Sequence, residues 1–131
     1  MSTENKVFFV LGCIFLTAAG ALAAFGFHGP VEILTPEKRQ SWGWAVDMQY
    51  YHGLGLLLIA LLNHLLGPSS LIRVAGVMMT SGILIFAGLI YAESLGASES
   101  VGEIVPSGGF LLMLSWPVSY THLRAHETDS Y

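Results

Sequence analysis

The chain has 131 residues, 53% of them hydrophobic and 11% charged, with a net charge of −4 and a single cysteine. Soluble domains carry about 25% charged residues, so this is the composition of a membrane protein. The acidic balance excludes nucleic-acid binding, because Lys38 and Arg39 are the only adjacent basic residues, and one cysteine excludes an intrachain disulfide framework or a multi-cysteine zinc site.

Residues 7–27 contain no charge. As a helix these 21 residues reach about 31 Å, one bilayer crossing. A secretory signal cleaved after Ala21, Leu22 and Ala23 competes with this reading. However, Lys6 is offset by Glu4, and the apolar run is longer than a signal core, so a retained helix is expected. Cys13 follows too few apolar residues for a lipoprotein acylation site, and a packing role is expected for it. His28, Gly29, Pro30, Glu32, Pro36, Glu37, Lys38 and Arg39 then form a polar loop.

Thr35 and Pro36 read as the N-cap and first position of a helix. A short surface helix is expected over residues 36–46, with Trp42 and Trp44 at headgroup level. The second crossing is expected over residues 48–66. Gly67, Pro68, Ser69 and Ser70 make a tight turn, and residues 74–92 supply an antiparallel third crossing. Lipid gives helices no hydrophobic reason to associate, so small residues that allow close approach are the expected contacts. On helix one these are Gly12, Gly20 and Ala24; on helix three they are Ser81, Gly88 and Ala92.

A Gly- and Ser-rich loop follows, and Pro106 is expected to open helix four, with Gly108 and Gly109 completing a turn motif. Residues 106–116 reach only about 16 Å, half of what a crossing needs. Continuing through His122, Arg124, His126 and Glu127 would place charges in lipid, at about 2.5 to 3.5 kcal/mol for each central one. The fold expected is therefore all-α, a four-helix transmembrane bundle in antiparallel up-down order with a truncated fourth helix. Residues 1–117 form the membrane domain. Residues 118–128, VSYTHLRAHET, resemble a translated transposase-type sequencing-library adapter, with 129–131 as read-through. Setting this tail aside removes His122 and His126 as candidate ligands and leaves His28, His52 and His64.

Four antiparallel crossings bring His28, Asp47, Gln49, Tyr50, His52 and Glu93 to one membrane face, the expected polar cluster. His64 lies about 18 Å along the helix from His52, too far to share a metal ion with it. A His28 and His52 face has three open readings: interfacial hydrogen bonding, a metal or haem site, or a proton or solute pathway. Lys6 and Arg73 fall on one side and Lys38 and Arg39 on the other, so the positive-inside count is tied. The short turn after Leu66 favours cytoplasmic termini.

AAFGFHG over residues 23–29 and WAVDMQYYHGLGLLLIALL over 44–62, followed by the Pro106, Gly108, Gly109 turn, resemble the YgdD-like family of small bacterial inner-membrane proteins. The resemblance covers residues 7–116, with Phe27 and Pro30 departing from the family pattern. It implies a four-helix inner-membrane protein without an established biochemical activity. The sequence holds no catalytic triad, phosphate loop, paired-carboxylate site or metal signature. Expected from it are no enzymatic activity, no cofactor, no metal and no nucleic-acid partner. The leading expectation is a bundle in the lipid bilayer that self-associates or pairs with another membrane protein. Its alternatives are a small oligomeric transporter, or a haem- or metal-binding membrane protein.

Overall fold

The computed structural model describes residues 1–128 and consists of four long helices: α1 Thr3–His28, α2 Pro36–Leu66, α3 Ser70–Ser94 and α4 Val105–Thr128, with a 3₁₀ helix at Glu99–Glu103 before α4. Among the described residues there is no strand. All four helices are long and apolar enough to cross a membrane. Residues 129–131, expected as read-through, and the side chain of His126 lie outside the described residues.

Local chemistry sets most of the helix ends. Ser2 caps α1 by accepting from the Asn5 N–H at 3.2 Å, and Ser69 caps α3 by accepting from the Leu71 N–H at 3.2 Å. Thr35 occupies the N-cap of α2 as expected, but its side chain makes no cap hydrogen bond; Pro36 supplies the preset first turn. Gly67, with φ 92°, turns the chain between α2 and α3, and Gly96, with φ 108°, turns it after α3.

Two expectations about continuity are corrected. Residues 36–46 are not a separate surface helix: α2 runs unbroken for 31 residues, and Trp42 is 2% exposed inside the protein while Trp44 faces outward. Hydropathy reports where residues meet lipid, and the backbone is free to stay helical across that boundary. Helix α4 likewise does not stop at Trp116, and residues 118–128 are helical. A started helix keeps its backbone groups bonded, and the break at Pro117, which offers no N–H to the Met113 carbonyl, falls on an exposed side of α4.

Helix α1 packs along α2, α2 along α3, and α3 along α4, while α2 touches α4 lightly. The shared core is apolar, built on Leu56, Ile59, Ile72, Met79, Ile83 and Leu112, with Phe8 reaching in from α1. A smaller cluster of Leu34, Trp42 and Val46 seals the loop end of α1 against α2. The α1–α2 crossing is set by Gly12 and Gly53: a methyl group added at Gly12 would lie 2.9 Å from the Gly53 carbonyl oxygen.

Of the residues expected at helix contacts, Gly12 sits at this crossing and Gly20 faces the Tyr50 hydroxyl. Ser81 and Ala92 are partly buried, Ala24 is exposed, and an added methyl at Gly88 would meet nothing within 4 Å. Gly88 and Ala24 are therefore not contact points within the chain. The tight positions are instead Gly55, Gly76, Gly82 and Gly108, which face Met79, Phe8, Leu112 and the α3 backbone.

Candidate functional site

The expected polar cluster of His28, Asp47, Gln49, Tyr50, His52 and Glu93 does not converge. One α2 step of 100° per residue turns Gln49 and His52 into the protein, both buried, and leaves Asp47 exposed on another side. His28 is exposed at the end of α1, and Glu93 lines a cleft of about 420 Å³ with Lys38, Trp44 and Ser94. In that cleft the Glu93 carboxylate lies against Gly102. Pro106, Gly108 and Gly109 do not make a separate turn: they are helical residues in the first turns of α4, where proline needs no N–H partner.

The buried half is a set of hydrogen bonds between helices. Gln49 donates through Nε2 to the Phe15 carbonyl of α1 at 2.8 Å and accepts at Oε1 from the Tyr91 hydroxyl of α3 at 2.8 Å. One amide thus ties three helices. His52 hydrogen-bonds through Nδ1 to the Met48 carbonyl at 2.8 Å, and the Trp116 indole N–H of α4 donates to His52 Nε2 at 3.1 Å. A carbonyl accepts only, so these partners select the tautomer with hydrogen on Nδ1. Both ring nitrogens are engaged, and the arrangement satisfies polar groups that would be costly to bury alone.

Near the opposite membrane face, Asn63 donates through Nδ2 to Asn5 Oδ1, and Asn63 Oδ1 accepts from the Ser69 N–H at 3.3 Å. Arg73 and Glu4 pair beside them at 3.0 Å. Neither asparagine nor Tyr91 was singled out by spacing, since an isolated amide in an apolar run carries no sign of its partner.

Arg39, expected as a loop charge, has the most elaborate contacts. Its Nε donates to the Leu34 carbonyl at 2.9 Å, Nη1 to the Gly26 and Phe27 carbonyls at 2.7 and 3.3 Å, and Nη2 to the Gly29 carbonyl at 2.6 Å. Beside it, Trp42 donates to the Leu22 carbonyl at 2.8 Å and stacks at a tilt on Tyr91, with ring centroids 4.6 Å apart. Between these groups and the end of α1 lies a groove of about 450 Å³ lined by Ala23, Phe27, Gly43, Val46, Asp47 and Tyr50. Among the described residues no group of three His, Cys, Asp or Glu side chains is placed to hold a metal ion.

Four apolar helices whose polar side chains bond to one another, with charges at the helix ends, define a multi-pass helical membrane protein. Residues 22–109 match the family described as protein of unknown function (DUF423), and the chain belongs to that family. It is 37% identical over 114 residues to a UPF0382 membrane protein of Staphylococcus epidermidis, covering 86% of this chain and 91% of that one. It is 38% identical over 112 residues to the UPF0382 membrane protein YwdK of Bacillus subtilis, covering 85% and 90%. No solved structure matches it.

Proposed function

We propose that the protein is a non-enzymatic inner-membrane bundle that associates with a second copy, or with another membrane protein, through the outer face of α1. The observation that carries this reading is a stripe at alternating steps of three and four. Val7, Val10, Ile14, Thr17, Ala21 and Ala24 are all exposed, opposite the buried Asn5, Phe8, Gly12 and Ala19 that pack inward. This is the seam spacing of paired helices, with small residues in its second half.

Cys13 is exposed beside this seam and is the only cysteine, which provides a direct test. Oxidation of native membranes with a lipid-soluble copper–phenanthroline complex, which takes two electrons from a pair of thiols, is expected to yield a disulfide-linked dimer, or a larger adduct with a partner's cysteine. Ala21→Leu with Ala24→Leu should abolish that product. Only monomer from the unaltered chain would overturn the reading.

Transport or haem binding on a His28 and His52 face draws no support from the geometry, because His28 is exposed and His52 has both nitrogens engaged. Cytoplasmic termini are favoured by the short connection between α2 and α3, which holds only Gly67, Pro68 and Ser69. The motifs at 23–29 and 44–62 support the YgdD-like assignment. For residues 118–128, the eleven-residue agreement supports an adapter origin. Re-sequencing the 3′ end of the gene is expected to replace VSYTHLRAHET by an apolar continuation, and an unchanged string would refute that origin.

A further inference from the structure

The groove between the end of α1 and the outer part of α2 contains a carboxylate that no side chain pairs with among the described residues. Asp47 makes no hydrogen bond or ion pair among the described residues, and the Tyr50 hydroxyl, three residues on and on the same side of α2, makes no hydrogen bond. Arg39 lines the same groove and keeps its positive charge, but its donors are taken by the carbonyls of Gly26, Phe27, Gly29 and Leu34, and it makes no ion pair with Asp47. Helix α2 is about 46 Å long against a hydrocarbon core of about 30 Å, so its first 16 Å or so project beyond it. Asp47 begins where that projection ends, at the boundary where an uncompensated carboxylate is costly.

Gly43 adds an independent observation. It stands one turn before Asp47 in the groove wall, and a methyl group added there would meet nothing within 4 Å. Glycine inside a helix is less stable than alanine, and no helix contact within the chain requires it here. Its effect is to keep the groove wide.

We propose that this groove binds an organic ammonium ion, with the cation on Asp47, a hydrogen bond to Tyr50, and the apolar part of the ligand against Ala23, Val46 and Phe27. One carboxylate and one hydroxyl are too few oxygen ligands for calcium or magnesium. An ammonium carrying an apolar group matches both the unpaired carboxylate and the apolar walls, and the aromatic rings of the lining favour such cations further. A free amine and the amine headgroup of a membrane lipid share this chemistry.

The test uses the full chain in phosphatidylglycerol nanodiscs, titrated with 4-fluorobenzylammonium and read by fluorine line broadening. Asp47→Asn is expected to weaken binding by at least about tenfold. Gly43→Leu, whose added Cβ has open space and whose longer side chain occupies the groove, should do the same while its helical content is kept and its unfolding midpoint does not fall. Replacing the lipid by phosphatidylethanolamine separates the sources. Competition with the probe there assigns the groove to a lipid headgroup, and unaltered binding assigns it to a free amine. Asp47→Asn or Gly43→Leu binding the probe like the unaltered chain would overturn the proposal, as would neutral 4-fluorobenzyl alcohol binding equally well.

Discussion

Arg39→Ala is expected to lower the unfolding free energy in mixed micelles by about 3 kcal/mol, counting only the two shortest of its charge-assisted bonds at about 1.5 kcal/mol each. The reason begins in the sequence of the loop. A helix leaves its last carbonyls without donors, and the N–H that would bond the Gly26 carbonyl belongs to residue 30. Pro30 has none. The guanidinium of Arg39 therefore takes the Gly26 carbonyl at 2.7 Å and gathers the Phe27, Gly29 and Leu34 carbonyls with its other donors. Its positive charge also sits at the negative end of α1. Arg39→Lys keeps that charge but loses the planar fork, and should recover no more than about half of the loss. An unfolding titration in detergent and denaturant, followed by tryptophan fluorescence in a Trp44→Phe, Trp116→Phe background that leaves Trp42 as the reporter, checks both. Unfolding curves for Arg39→Ala that superimpose on those of the unaltered chain would show that water serves the end of α1 equally well.

The same residue shows what was legible in the sequence and what was not. Spans were legible, because a run such as 7–27 without a charge has one stable environment, and the starts at Pro36 and after Ser69 carry local signals. The continuity of α2 was not, since the polar stretch from Pro36 to Asp47 marks an exit from lipid without saying that the helix ends. Asp47, Gln49, Tyr50 and His52 open the expected second crossing, but with α2 continuous from Pro36 to Leu66 they fall midway along it. Their facing was not legible, because hydropathy contains no reference direction until the partners of α2 are known. Arg39 could have been found from Pro30 and the missing donor. The bond from the Tyr91 hydroxyl to Gln49 could not, as it depends on the register of two helices and joins residues 42 apart in sequence.

Helix contacts make the sharpest distinction between spacing and register, and here a second large effect is expected. A methyl group added at Gly108 would lie 2.5 Å from the Phe86 backbone nitrogen and 3.0 Å from the Ile85 carbonyl carbon, both in α3. Across the same crossing, one added at Gly82 would lie 3.2 Å from the Gly108 carbonyl oxygen. Flexible side chains yield to an added atom, whereas a helix backbone moves only as a body. Gly108→Leu should therefore force α4 away from α3 and cost at least about 3 kcal/mol, the upper end for overpacking a core. It should also lengthen the bond between Trp116 and His52 and change the tryptophan emission. Gly88→Leu lies on α3 with open space around the added side chain, so no loss is expected, and its higher helix propensity acts in the stabilising direction. The two variants add the same side chain to neighbouring helices, so a difference between them measures close backbone approach and not the removal of glycine as such. A loss of equal size at Gly88 would instead place a second chain against the outer face of α3, and would move the proposed association away from α1.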